Sequence, residues 1–150
     1  MATGALANLI DADWGETEIV LVDLPPGTGD VQLSLIQRAR PAGAVIVSTP
    51  QDLSLIDARR AVDLFNKTSV PVLGVIENMA TYVCPHCGEV SHPFGTGGAE
   101  AAAADMGVPF LGRLPLSLAI REASDAGQPL AAEEEAFSAI AAKLMEAVAH

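Results

Sequence analysis

The sequence predicts a three-layer α/β domain built around a mostly parallel sheet, and three observations predict it. Short runs of Val, Ile and Leu are almost unbroken by polar residues, as in strands buried on both faces. Segments with helical apolar spacing fall between those runs, an alternation that implies right-handed crossovers. Half of the 150 residues are apolar, with 18% charged and 4% aromatic, the composition of an ordered core. A chain of this length supports one domain better than two. Residues 1–150 are therefore expected to form a single unit, without repeat, low-complexity stretch or linker.

The first apolar run is 18–23 (EIVLVD), which ends on a carboxylate. The runs 43–48 (GAVIVS), 70–77 (VPVLGVIE) and the shorter 108–112 (VPFLG) follow. Helices are expected at 30–39, at 54–66, at the Ala-rich 98–106 and at 133–149. The last has acidic residues in its first turn, where they complement the helix dipole. Residues 1–13 (MATGALANLIDAD) read as a helix entering directly before the first run. A doubly wound domain normally has a strand before that helix, so the sheet is expected to be incomplete at its N-terminal side.

The formal net charge is −11, from 19 acidic and 8 basic residues. Phosphate backbones and anionic lipid repel such a chain, so neither nucleic acid nor a membrane surface is an expected partner. No apolar run reaches the roughly 18 residues of a membrane span, and the start has no signal-peptide pattern. A cytoplasmic location is the expectation.

Two segments carry candidate chemistry. In Asp23-Leu24-Pro25-Pro26-Gly27-Thr28-Gly29-Asp30, a strand-end aspartate is followed by a Gly/Pro-rich turn into a helix, where open α/β sheets place ligand groups. The bland alternative is a tight turn capped by Asp30. The second segment is Cys84-Pro85-His86-Cys87, which holds both cysteines of the chain. Two thiolates three positions apart can reach one metal, but a cubane cluster wants four. Three solutions remain: two chains each giving one pair to a [4Fe–4S] cluster, one chain adding His92, with or without His86, to hold zinc, or a dithiol–disulfide couple. A third segment, Phe94-Gly95-Thr96-Gly97-Gly98-Ala99-Glu100, opens a helix with free N–H groups suited to an anion. No Lys-Ser/Thr follows it, and a simple turn with a helix cap is the expected reading.

VDLPPGTGD resembles the switch II segment of the Mrp family of iron–sulfur carrier ATPases, relatives of the MinD and ParA ATPases. The resemblance runs on through TGALANLI and DWG, STPQDLSLIDARRAVDLF, GVIENMATYVCPHCGE, FGTGGAE and LGRLPLS, in that order. It implies a P-loop NTPase-like fold. It also implies a magnesium-site role for Asp23 and γ-phosphate sensing at Gly27 and Gly29. Asn78 is implied to read the adenine, flanked by the loop around Arg113, Leu114, Pro115 and Leu116. Cys84 and Cys87 are implied to hold a labile [4Fe–4S] cluster at a homodimer interface, for delivery to apo iron–sulfur proteins, with ATP and Mg²⁺ as cofactors of the full-length protein.

The sequence contains no G-x-x-x-x-G-K-[ST]. In the Mrp family a deviant form of that loop supplies the phosphate-binding lysines, and Met1-Ala2-Thr3-Gly4 resembles an internal stretch of the family. The expectation is a C-terminal portion with negligible ATP binding and hydrolysis by itself. The competing functions are a MinD/ParA-like regulatory ATPase and a structural zinc-binding module. The first is disfavoured by the cysteine pair and by the acidic character of 133–150.

Overall fold

The computed structural model describes residue 8 and residues 11–24, 30–128 and 134–149. Along the chain these form α1 (Asp30–Ala39), β1 (Ala44–Ser48), α2 (Asp52–Lys67), β2 (Val72–Glu77), β3 (Tyr82–Val83), β4 (Val90–Ser91), α3 (Gly98–Met106), β5 (Phe110–Arg113), α4 (Leu118–Asp125) and α5 (Glu134–Val148). The strands β1, β2 and β5 make a parallel sheet in that order, and β3 pairs with β4 as a separate antiparallel ribbon.

Side chains alternate across the parallel sheet and build two cores. On one face Ile46 and Val75 meet Ile36 of α1, Ala58, Val62 and Phe65 of α2, and Ala99 and Ala103 of α3. On the other face Ile76 and Leu111 meet Ile140 of α5, with Val45, Leu114 and Leu144 packed around them. The result is the expected three-layer arrangement. Small side chains at Ala99, Ala102 and Ala103 let α3 lie close against the sheet, and all three are buried.

Helix ends follow local chemistry. In α2, Asp52 sits in the first turn and Lys67 in the last, each complementing the dipole there. Its final turn closes where the Thr68 hydroxyl donates to the Leu64 carbonyl at 2.9 Å. α3 ends on Gly107, whose φ of 68° suits a residue without a Cβ, and Val108 N–H returns to the Ala103 carbonyl at 3.0 Å.

The run expected as the first strand is corrected. Residues 18–24 form no strand, and Ile19, Val20, Leu21 and Val22 are exposed, Leu21 at 88%. A strand needs a neighbour for its N–H and C=O groups, and among the described residues nothing lies in register beside this run. Leu24 does reach the first core. The other expected strands are present with ends moved by one or two residues. The β3–β4 ribbon and α4 are additions to the expected elements. Most of the expected opening helix lies outside the described residues; Asn8 is helical, and the chain turns by 11–12. No helix among the described residues is long and apolar enough to cross a membrane.

Candidate functional site

In a parallel sheet all strands end on the same side, and loops gather there. Here that side carries Ser48, Glu77 and Arg113, the last residues of β1, β2 and β5. Backbone bonds stitch the loops beyond them together. Asn78 N–H donates to the Ser48 carbonyl at 2.7 Å, Leu114 N–H to the Glu77 carbonyl at 2.8 Å, and Ala80 N–H to the Leu114 carbonyl at 3.0 Å. Leu116 N–H then donates to the Thr81 carbonyl at 2.7 Å, and Tyr82 bridges Leu116. The structure therefore brings Asn78 and the 113–116 segment side by side. Asn78 is half-buried, and its Oδ1 accepts from Met79 N–H at 2.9 Å, in a turn where Met79 has a φ of 58°. Pro115 is half-buried between the stitched residues.

Beyond Ala80 the chain rises into the β3–β4 ribbon. At its tip Cys84 N–H donates to the Glu89 carbonyl and Gly88 N–H to the Cys84 carbonyl, both at 2.9 Å. Gly88 adopts a φ of 73°, which closes the turn. Cys84 is half-buried, Cys87 is exposed, and both are free thiols. The Cys84 thiol is held below the usual thiol range, first by the backbone N–H of Cys87, then by that of His86, then by the Cys87 thiol itself. The turn thus places two free thiols three positions apart at the tip of one ribbon, with the thiolate form of the first favoured, as a thiolate ligand site requires.

Among the described residues no group of three or more His, Cys, Asp or Glu side chains is placed to hold a metal ion. The zinc solution within one chain is therefore not assembled. His92 Nδ1 lies 3.0 Å from the Ala80 carbonyl, engaged across the base of the ribbon. The ligand set offered by one chain is two thiolates, half of what a cubane cluster takes.

Glu77 escaped the sequence reading. It is fully buried, and its carboxylate accepts from Ala99 N–H at 2.8 Å, Gly97 N–H at 3.4 Å and Arg113 Nε at 3.2 Å. The glycine-rich turn does hold an anion, and the anion is a side chain of the same protein. The available signal was a carboxylate closing the apolar run VLGVIE, a place where burial requires partners. Gly98 is fixed by close approach, since a Cβ there would meet the Pro50 carbonyl oxygen at 2.4 Å. Arg113 also pairs with Glu100 and lies over the Phe110 ring at 5.2 Å.

Of the remaining candidates, Asp23 is exposed at the end of the unpaired 18–24 segment. Gly27 and Gly29 lie outside the described residues. A hollow of about 520 Å³ lined by Ile36, Arg40, Pro41, Thr68 and Ser69 sits at the opposite end of the sheet, where its strands begin. Among the described residues the Gly97 and Ala99 N–H groups opening α3 are already taken by Glu77, and the sequence has no lysine loop of the G-x-x-x-x-G-K-[ST] kind.

The fold is that of a nucleotide-type parallel α/β domain, here bearing a paired-thiol hairpin at the carboxyl ends of its strands. The chain belongs to the ParA family of P-loop NTPases, in its NUBPL iron-transfer group, whose family model, "ParA: NUBPL iron-transfer P-loop NTPase", matches residues 1–150. It is 50% identical over 132 residues to an iron-sulfur cluster carrier protein of Pseudomonas fragi, covering 87% of this chain and 46% of that one. It is 49% identical over 131 residues to the mouse iron-sulfur cluster transfer protein NUBPL, covering 87% and 41%. The chain thus spans under half the length of these curated relatives. Among solved structures it is similar to a nucleotide-binding protein of Archaeoglobus fulgidus in complex with ADP, at a TM-score of 0.75 and 39% identity, covering 89% of this chain and 57% of that one. The cell division ATPase MinD of Pyrococcus furiosus shares the fold, at a TM-score of 0.70 and 22% identity, covering 96% and 58%.

Proposed function

We propose that this chain is the cluster-holding portion of an iron–sulfur cluster carrier, in which two copies each present Cys84 and Cys87 to one [4Fe–4S] cluster. The observation that carries this reading is the pair of free thiols at the tip of one ribbon, in a family described by iron transfer. The cluster is cargo, destined for apo-proteins. Backbone N–H groups of Cys87 and His86 favour the Cys84 thiolate, the form that ligates iron. The exposure of Cys87 leaves the cluster open to attack by an incoming thiolate, which suits hand-over better than storage.

In this reading Asn78 and the Arg113–Pro115 segment flank the base of ATP in the whole protein, Asp23 serves its magnesium, and Gly27 and Gly29 follow the γ-phosphate. The 150-residue chain alone is proposed to hydrolyse no ATP at a measurable, saturable rate. A regulatory ATPase of the MinD kind would have no use for the thiol hairpin.

Anaerobic reconstitution with iron and sulfide, followed by native mass spectrometry, tests the reading. A dimer with four irons and four sulfides, lost in Cys84→Ser/Cys87→Ser, is the expected result. A monomer carrying zinc, or a metal-free chain under every condition, would overturn it.

A further inference from the structure

The cysteine tip stands on a ladder whose lowest rung is not backbone. From tip to base the rungs are Cys84 to Glu89, the β3–β4 pairing of Tyr82 with Ser91 and Val83 with Val90, and Ala80 to His92. The bottom rung is Glu77, at the root of the outgoing arm, bonded to Gly97 and Ala99 at the root of the returning arm. A two-stranded ribbon with two residues in each strand has little stability of its own. Its direction is therefore set where it joins the rigid domain. At that junction one buried carboxylate ties β2, the start of α3 and, through Arg113, the end of β5.

We propose that Glu77 is a positioning residue for the metal site: backbone bonds to 114–116 hold the outgoing root of the hairpin, its carboxylate ties the returning root to β2, and the two together aim Cys84 and Cys87 at the second copy. Three features support this. Glu77 is wholly excluded from solvent, and all of its described partners lie at the junction. Gly98, next to the bonded N–H groups, abuts the Pro50 carbonyl, so α3 cannot slide to compensate. Val83 and Val90, facing each other below the cysteines, are exposed, so packing against the domain does not hold the upper ribbon. The consequence for the cluster rests on reading Cys84 and Cys87 as its ligands; the mechanical part does not.

The test is Glu77→Gln, which keeps the side chain's shape and removes its charge, with Glu100→Gln as a control that loses the outer partner of Arg113. Two readouts are taken. Amide exchange by NMR on the metal-free chain should quicken about tenfold at Ala99 and at Cys84 and Gly88, while Val45 and Val75 in the sheet stay unchanged. The lifetime of the reconstituted cluster should shorten in Glu77→Gln and hold in Glu100→Gln. Faster exchange at Ala99 with an unaltered tip and an unaltered cluster lifetime would overturn the proposal, and so would uniformly faster exchange across the sheet. If wild type takes up no cluster, the carrier reading fails and the exchange result still decides the role of Glu77. If Glu77→Gln does not fold, Arg113→Met removes one of the carboxylate's three donors and should give the same pattern at smaller amplitude. Unchanged tip exchange there counts against the proposal.

Discussion

At the residue scale, two positions have strongly constrained chemistry. Gly98 opens a helix, where alanine would ordinarily gain up to about 1 kcal/mol from propensity. Yet its missing Cβ faces a backbone oxygen at 2.4 Å, which cannot rotate away. Gly98→Ala is therefore expected to destabilise by a net 1–3 kcal/mol or so in chemical denaturation, and a neutral result would contradict the close approach of α3 to Pro50. Cys84 is the second. Because its thiol loses its proton more readily than usual, it carries more thiolate near neutrality than an ordinary cysteine and should alkylate ahead of Cys87. Its lead should shrink as pH rises past the ordinary thiol range, where the thiolate fraction no longer sets its rate apart. Peptide mapping after brief iodoacetamide treatment at several pH values reads this directly, and equal labelling at neutral pH would sink the assignment.

At the element scale, α5 is the whole outer layer on its face of the sheet among the described residues. Ile140 is 5% exposed and closes the cluster with Ile76 and Leu111, while Lys143 Nζ donates to the Leu111 carbonyl at 2.8 Å. Ile140→Ala should cost about 2–4 kcal/mol by equilibrium denaturation; a loss below about 1 kcal/mol would mean that α5 is not docked as described. The same scale shows what could be read in advance. The central strands and α1, α2, α3 and α5 were legible because burial on two faces, or on one helix stripe, imprints a period on the sequence. The run 18–23 has the same imprint and forms no strand, because pairing depends on a neighbour that no local pattern records. The ribbon escaped notice because two-residue strands are too short to show alternation, and α4 because none of its residues is buried. At the site, the CxxC pair was plain from spacing alone. Glu77 was not, since its meaning comes from N–H groups twenty and twenty-two residues further along.

At the scale of the whole molecule, two forces act on association in opposite directions. The charge of −11 keeps copies apart. Against it stand β1, an uncharged edge strand among the described residues, and the exposed apolar run 19–22. Val47 of β1 is 60% exposed because α5 covers β2 and β5 and stops short of β1. Such an edge is open to pairing with another strand. Added salt shortens the reach of the repulsion to about 10 Å at 0.1 M, so self-association in sedimentation velocity should rise with ionic strength. Val47→Lys should suppress that rise and leave the melting temperature nearly unchanged. If the variant associates as readily as wild type, the edge is not the contact.

Burial of the Glu77 carboxylate divides the molecule's electrostatics into two classes. Surface pairs such as Arg59–Asp105 and Arg121–Asp125 are bathed in solvent and weaken as ions crowd around them. The carboxylate beneath the hairpin has no solvent in which counterions could gather, so its bonds to the Gly97 and Ala99 N–H groups are screened far less, and salt reaches it only through the exposed side of Arg113. A carrier whose hand-over depended on that junction would therefore work in much the same way across large swings in salt, while its surface contacts to partners were retuned by every change in ionic strength.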